Sequence, residues 1–157
     1  RGMTVRDRVP AAKEPTVFDL HPRLVAATAP LGELPLSTVL LLDDHRLPWI
    51  LLVPRRDGVE EIFELAAPDR AQLMEEIAAT SEAMKRRFRP FRLNIADIGN
   101  RAPQLHVHVV ARFEDDPFWP QVAWSREREP YAPEARETRR RELIDAFAAV
   151  AGFTPAA

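Results

Sequence analysis

The segment QLHVHVV, Gln104–Val110, places two of the chain's four histidines two positions apart within an apolar run. Successive side chains of a β-strand point to opposite faces of the sheet, so residues two apart share a face. Gln104, His106 and His108 therefore share one face, and the aliphatic residues between them form the other. This alternation predicts a strand that packs against a core on one side and presents a polar, specific surface on the other.

Three interpretations of the polar face remain open from these residues. A solvated strand face can carry histidines without function, although two histidines beside a glutamine weigh against that. A metal site is the second, and zinc would need a third and often a fourth ligand. The third is that the strand carries a catalytic signature, which the rest of the chain has to support. Candidate further ligands for a metal are His21, His45, Asp43 and Asp44.

Apolar runs elsewhere in the chain predict an antiparallel sheet with packed helices. Residues 37–44 and 49–56 are strand-length apolar runs joined by a polar loop, the pattern of a hairpin. A helix is predicted to begin at Asp69, with Gln72 completing a capping box, and to end at Pro90. Further predicted elements are strands over residues 25–30, 92–100 and 104–113 and a final helix over residues 134–151.

This order of elements predicts an α+β fold, with an antiparallel sheet of about five strands. The 157 residues fit one domain, and 46% hydrophobic content is enough for a sizeable core. We expect residues 1–16 to form a flexible N-terminal arm and residues 17–157 to form the single domain, ending in an aromatic loop and a helix.

Composition excludes several functional classes. The 22 basic and 24 acidic residues leave no overall basic excess of the kind that marks nucleic-acid binders. The absence of cysteine excludes thiolate ligands and a cysteine nucleophile. No apolar run approaches the roughly 18 residues of a membrane span, and the first residues lack the apolar core of a signal peptide. We therefore expect a cytoplasmic protein that binds neither nucleic acid nor membrane.

The segment QLHVHVV resembles the signature of the histidine-triad (HIT) family of nucleotide hydrolases and transferases, His-φ-His-φ-His-φ-φ with φ apolar. Six of the seven positions match, and Gln104 stands where the first histidine usually is. The segment DDHRLPWILLVPRR, the amphipathic helix and the strand RLNIADIGN follow in the family's order, so the resemblance covers residues 18–113. Glutamine at the first position and the aromatic segment DDPFWP are similar to bacterial proteins described as diadenosine-tetraphosphate-hydrolase-like.

The resemblance implies a catalytic role for each polar residue of the motif. His106, at the middle position, would attack the α-phosphorus of a nucleotide and form a nucleotidyl-histidine intermediate that water resolves. A backbone carbonyl that holds the proton of one ring nitrogen would leave the other nitrogen free to attack. His108 would hydrogen-bond the phosphate or the leaving group, and Gln104 would support the network without titrating. A second departure from the family is Trp49, where many relatives carry a histidine.

The resemblance also implies substrate contacts outside the motif. Asn94, Gly99 and Asn100 match the family's phosphate-contact region, and Asp43 or Asp44 would accept hydrogen bonds from ribose hydroxyls. We expect no cofactor and no resident metal, and the resemblance implies a homodimer.

We therefore expect hydrolysis or nucleotidyl transfer at the α-phosphate of a dinucleoside polyphosphate or a nucleoside phosphoramidate. The alternative is a nucleotide-binding protein with little or no catalytic activity, since Gln104 and Trp49 both depart from the family pattern.

Overall fold

The computed structural model describes residues 18–157, so the predicted N-terminal arm lies outside the described residues. Its main element is an antiparallel sheet of six strands in the order β4-β5-β3-β2-β1-β6, which confirms the α+β prediction with one more, very short, strand than expected. The strands are β1 Thr28–Glu33, β2 Ser37–Leu42, β3 Trp49–Pro54, β4 Arg92–Asp97, β5 Val107–Arg112 and β6 Thr154–Pro155. The helices are α1 Pro22–Ala27, α2 Ala67–Phe88 and α3 Pro133–Phe147, with short 3₁₀ turns at Ile62–Glu64 and Ala123–Ser125.

Two hydrophobic clusters pack against opposite faces of the sheet. The first contains residues of α2 and α3 together with Leu41, Ile50 and Val109 from the central strands. The second contains Trp49 and Val110 together with residues of α1 and of the segment after β5. Because β3 and β5 are buried on both faces, they form a rigid support for side chains that project from either one.

The predicted alternation of the histidine strand is confirmed. Leu105, Val107 and Val109 lie in the cluster that contacts α2 and α3. Val110 lies in the cluster on the other face. The two histidines are buried with that second face, so the polar side of the strand is an enclosed surface and not a solvated one.

The chain around residues 25–30 differs from the predicted strand. Pro22 begins a helix that continues to Ala27, and β1 starts only at Thr28. Proline is favoured in the first turn of a helix because its fixed φ suits that position and its missing N–H is not needed there. His21 caps this helix, since its Nδ1 accepts a hydrogen bond from the N–H of Arg23 at 3.2 Å.

The predicted start of α2 is also wrong. The helix begins at Ala67, with Ala66 as an N-cap that makes no side-chain cap bond. Asp69 lies in the first turn and instead accepts two hydrogen bonds of 2.7 Å from the guanidinium of Arg56. The end of the helix was predicted within two residues, because Pro90 follows Arg89, whose φ of 49° closes the helix.

No helix among residues 18–157 has the length and apolar character needed to cross a membrane.

Candidate active site

A pocket of about 850 Å³ opens on the sheet face opposite α2 and α3. Its floor is formed by β3 and β5, and its walls come from α1, the β4–β5 loop and the segment after β5. His106 and His108 both line it. Its other polar and aromatic lining residues are Arg23, Asp44, Trp49, Asn100, Arg101, Trp124, Ser125, Arg126, Glu127 and Arg128.

His106 lies immediately before β5 and is 4% exposed. Its Nδ1 lies 2.7 Å from the backbone carbonyl oxygen of Gln104. A carbonyl only accepts hydrogen bonds, so Nδ1 must carry the proton of the neutral ring. The lone pair is then on Nε2, the arrangement that the sequence analysis required for a nucleophilic imidazole.

His108 has the opposite tautomer. The indole Nε1 of Trp49 donates a hydrogen bond of 2.9 Å to its Nδ1. Indole is a donor only, so Nδ1 of His108 must be the acceptor and the proton of the neutral ring lies on Nε2. The register explains the contact, because Trp49 pairs with Val110 and Leu51 pairs with His108, which makes Trp49 and His108 diagonal neighbours on one face.

The environment of His108 keeps this ring neutral. Burial and, to a smaller extent, the charge of nearby His106 lower its pKa to about 3, with the backbone of Ile98 opposing both in part. The Nε2 atom itself is buried and makes no hydrogen bond within the described residues. His108 thus offers one unsatisfied N–H donor in the pocket at neutral pH.

The two imidazoles are adjacent and complementary. Their ring centroids are 5.0 Å apart, with an angle of 61° between the planes. One ring presents a bare nitrogen and the other retains a proton that it can donate in a hydrogen bond. An electrophilic phosphate held between them would meet a nucleophile and a hydrogen-bond donor together.

Gln104 holds the N-terminal segment of the described chain. Its Oε1 accepts from the N–H of His21 at 2.8 Å, and its Nε2 donates to the carbonyl oxygen of Asp19 at 2.9 Å. Both polar ends of the amide are therefore used by backbone groups. Gln104 does not belong to the pocket lining, so its side chain supports the wall and its backbone carbonyl supports His106.

The loop between β4 and β5 brings Asn100 to the pocket, as the sequence analysis expected, while Gly99 lines a smaller adjoining pocket. A Cβ atom at Gly99 would meet only the carbonyl oxygen of Ala102 at 3.5 Å, an ordinary contact. The fold therefore does not require glycine at this position on steric grounds.

The two aspartates after β2 are directed to different places. Asp44 lines the pocket and accepts two hydrogen bonds from the side chain of Arg46, at 2.8 and 2.5 Å. Asp43 does not line it, since its Oδ1 accepts from the N–H of Tyr131 at 3.1 Å and its Oδ2 lies 3.5 Å from Arg136. Of the two candidates for a ribose contact, the structure brings Asp44 to the site.

Asn94 lies away from the pocket. Its Oδ1 accepts a hydrogen bond of 2.7 Å from Arg112, whose guanidinium also pairs with Asp116 at 2.8 Å. Arg112 is 1% exposed and lies within this network. Neither Asn94 nor Arg112 is placed to contact a ligand beside the histidines, and their role is to anchor the chain that follows β5.

Several pocket residues carried no sequence signal. Trp124 contacts the rings of both His108 and Trp49 edge-on, at centroid distances of 5.5 and 5.2 Å. It lies four residues beyond the aromatic segment DDPFWP, in a stretch that no sequence pattern connects to the site. Arg126 and Arg128 also line the pocket, although a run of alternating arginines and glutamates gives no indication of which side chains face a site.

The ligands proposed for a metal are not assembled. His21 caps α1, and His45 pairs with Glu129 at 3.2 Å. Among residues 18–157, no three histidine, aspartate or glutamate side chains come together as a metal site.

Comparison with known proteins gave consistent results. The family model described as "HIT domain" matches residues 23–115. A histidine triad protein from Marinobacter aquaeolei is 39% identical, with a TM-score of 0.82 and coverage of 87% of this chain and 100% of that one. A histidine triad protein from Bradyrhizobium japonicum is 39% identical, with a TM-score of 0.79 and coverage of 83% and 98%. A third, from Sinorhizobium meliloti, is 37% identical, with a TM-score of 0.78 and coverage of 82% and 96%. A search of curated proteins found no significant match.

Proposed function

Because the chain belongs to the HIT domain family, whose members generally act on nucleotides, we propose that it is a nucleotide hydrolase or nucleotidyl transferase acting at the α-phosphate. Within the family we place it in the diadenosine-tetraphosphate-hydrolase-like bacterial branch, on the basis of Gln104 and the aromatic segment after β5. The resemblance further implies that it works as a homodimer.

One observation carries this proposal, the opposite tautomers of the two buried histidines. The carbonyl of Gln104 holds the proton of His106 on Nδ1, so the lone pair of Nε2 is available to attack phosphorus. Trp49 holds the proton of His108 on Nε2, where it can donate to a phosphate oxygen. A solvated strand face gives no reason for two such different and fixed arrangements.

The reaction follows from these positions. The lone pair of His106 Nε2 forms a bond to the α-phosphorus, and the bond from phosphorus to the leaving group breaks with its electrons going to that group. A phosphate departs as the anion, whereas an amine also takes up a proton from solvent. The ring becomes cationic, and its Nδ1–H bond to the carbonyl oxygen stabilises that charge. Water then attacks phosphorus, the electrons of the P–N bond return to Nε2, and the proton of the water passes to solvent.

Several pocket residues suit a nucleotide ligand. Arg23, Arg101 and Arg126 provide positive charge around the opening, where polyphosphate oxygens would lie. Asp44, the aspartate after β2 that lines the pocket, is the acceptor we assign to ribose hydroxyls, and Asn100 offers an amide to the phosphates. The substrate we propose is a dinucleoside polyphosphate or a nucleoside phosphoramidate.

A covalent-adduct experiment tests the proposal. Each variant is mixed with an activated adenylyl ester, quenched, and measured by mass spectrometry for an acid-labile gain of one AMP. His106→Ala should abolish both turnover and adduct. His108→Ala should still form some adduct on His106 but turn over about 10²–10³-fold more slowly, the usual cost of one oriented donor. An adduct in the His106 variant, or on His108 in the parent, would contradict the assignment.

The second candidate function is nucleotide binding with little turnover. It is favoured by Gln104, whose side-chain amide is occupied by the backbone of Asp19 and His21 and has no titratable group for proton transfer. Tight binding of AMP by the unmodified protein, without turnover of any adenylyl ester, would establish this alternative.

A further inference from the structure

Trp49 contacts His108 both through its ring and through its indole N–H. It is 3% exposed, it lies at the start of β3, and its ring packs against both His108 and Trp124. Core packing explains the burial of a large ring, but not the direction of its only polar atom. That atom, Nε1, donates to Nδ1 of His108 at 2.9 Å.

This hydrogen bond determines more than the orientation of the imidazole. A second proton on His108 would have to reside on Nδ1, directly opposite the indole N–H. The two N–H groups would then face each other 2.9 Å apart, and both would lack an acceptor inside a buried pocket. The indole therefore opposes the imidazolium form by geometry as well as fixing the tautomer of the neutral form.

A neutral imidazole can donate a hydrogen bond, but it cannot readily give its remaining proton away. Leaving groups differ in whether they need that proton. When a phosphoanhydride bond breaks, the electron pair remains on an oxygen of the departing phosphate, which is stable as an anion. When a phosphoramidate bond breaks, the electron pair remains on nitrogen, and the amine can depart only after it has gained a proton.

We propose that Trp49 is a positioning residue that keeps His108 a neutral Nε2–H donor, so that the site favours phosphate leaving groups over amines. The choice of leaving group rests on the proposed function, whereas the effect on the His108 proton does not. Two arginines at the rim of the pocket, Arg101 and Arg126, support this choice, because their positive charge would stabilise a departing polyphosphate. Of the two substrate classes considered above, this selects the dinucleoside polyphosphate.

Trp124 supplies a matched control. Like Trp49 it contacts the ring of His108 edge-on, at a centroid distance of 5.5 Å against 5.8 Å. Its Nε1 has no hydrogen-bond partner among the described residues, so it does not hold the His108 proton. Trp124→Phe therefore removes an indole of equal size from the same imidazole without removing the hydrogen bond.

The first measurement is the position of the proton in the free protein. Nitrogen-15 spectra of histidine-labelled protein distinguish protonated from bare ring nitrogens. The parent and Trp124→Phe should both show His108 with a bare Nδ1 and a protonated Nε2, while Trp49→Phe should show both tautomers. A proton on Nδ1 in the parent, or a single Nε2–H tautomer in Trp49→Phe, would overturn the proposal.

The second measurement is the preference between leaving groups. The ratio of kcat/KM for diadenosine tetraphosphate to that for an adenosine phosphoramidate should fall about tenfold in Trp49→Phe, a smaller loss than removal of the whole donor, and through kcat more than KM. An unchanged ratio would overturn the leaving-group part. If Trp49→Phe fails to fold, Trp49 is replaced site-specifically by benzothienylalanine, in which sulfur replaces the ring N–H at nearly the same size. A parent that turns over neither substrate would count against the proposed function, and the nitrogen-15 spectra would still decide the role of Trp49.

Discussion

At the scale of single residues, the backbone of Gln104 and not its side chain holds the ring of His106. The Nδ1 atom of His106 bonds to the carbonyl oxygen of residue 104, which every amino acid provides. The side chain of Gln104 instead joins the strand to residues 19 and 21. Stability and catalysis can therefore be separated at this position.

We predict that Gln104→Ala lowers the free energy of unfolding by about 1 kcal/mol, because two backbone groups lose a partner. Turnover by Gln104→Ala and by Gln104→His should stay within about tenfold of the parent, or 1.4 kcal/mol of barrier. Denaturant unfolding and steady-state kinetics measure the two effects, with exposed Gln121→Ala as the control. A loss of rate beyond a hundredfold would show that the amide itself takes part in the reaction.

The buried neutral state of His108 predicts a dependence of stability on pH. Its pKa is about 3 in the folded protein and about 6.5 in an unfolded chain, so the unfolded chain binds more protons between those values. Stability should be fully present above pH 6.5 and decline as the pH falls toward 3. The difference in unfolding free energy between pH 7 and pH 5 should be smaller in His108→Gln than in the parent. His45→Gln, at a half-exposed histidine, should retain the parent's difference in unfolding free energy between pH 7 and pH 5. An equal difference in the parent and both variants would show that His108 does not cause it.

The residues of the site differ in how well the sequence predicts them. The motif places His106 and His108 on one face because alternation along a strand is local geometry. The choice between Asp43 and Asp44 depends on Tyr131 and Arg136, which lie far along the chain. Asn94 accepts a hydrogen bond from Arg112, whose burial no local pattern indicated.

At the scale of elements, a buried ion pair fixes the segment that covers the site. Arg112, at the end of β5, pairs with Asp116, which also accepts from the N–H groups of Phe113 and Phe118 at 3.0 and 2.9 Å. Burial alone would raise the pKa of Asp116, but the hydrogen bonds from Arg112 and the two N–H groups, with the charge of Arg112, lower it overall. These contacts start the segment in the direction that brings Trp124 over His108.

We predict that Asp116→Asn lowers the free energy of unfolding by about 3–5 kcal/mol, since it leaves the buried charge of Arg112 uncompensated. Asp115→Asn, at the exposed neighbouring position, should change it by less than about 0.5 kcal/mol. Because the pKa of Asp116 is lowered, its contribution is present above the ordinary aspartate value and is lost as the pH falls through the lowered one. Chemical denaturation at pH 7 measures the effect, and equal losses in the two variants would contradict it.

A second element-scale contact joins α2 to the turn between β1 and β2. Glu76 is 3% exposed, and its Oε1 accepts from the N–H of Leu36 at 2.6 Å. We predict that Glu76→Ala lowers the free energy of unfolding by about 1–3 kcal/mol, because that buried N–H loses its acceptor. Glu75→Ala, on the exposed side of the same helix, is the control. Indistinguishable unfolding curves for the two variants would show that water replaces the carboxylate.

The sequence predicts those helices and strands whose structure depends on local chemistry. The run that became β3 is apolar throughout, and that of β2 is apolar from Val39 to Leu42, because both faces of these strands are covered. The helix at Pro22–Ala27 was missed because its apolar residues allow either structure, and the cap at His21 is what selects the helix. Asp69 is a residue type favoured at an N-cap, but its carboxylate instead accepts two hydrogen bonds from the guanidinium of Arg56.

At the scale of the whole molecule, the charge around the pocket is opposite in sign to the net charge of the chain. The chain carries a net charge of −2. Around the pocket the balance is reversed, since four arginines and two carboxylates line it. Composition showed no overall basic excess and gave no sign of this local positive charge, because only the fold collects Arg23 and Arg101 from one side of the pocket and Arg126 and Arg128 from the other.

This arrangement predicts that affinity for a polyphosphate depends on salt more than affinity for AMP does. Exposed charges are screened over about 8 Å at physiological ionic strength, and a longer phosphate chain extends toward the exposed arginines of the rim. Arg126→Gln should therefore weaken the binding of diadenosine tetraphosphate several-fold more than that of AMP, and it should reduce the salt dependence of diadenosine tetraphosphate binding.

The control for net charge is Arg141→Gln, which removes an equal charge from an exposed position of α3, a helix whose residues are absent from the pocket lining. Titration calorimetry in the His106→Ala background, chosen to prevent turnover, measures six affinities at two salt concentrations: those of the unsubstituted site and of the two arginine variants for each of the two ligands. Equal effects of the two variants would mean that the charge of the whole molecule, and not the rim of the pocket, determines how the polyphosphate is held.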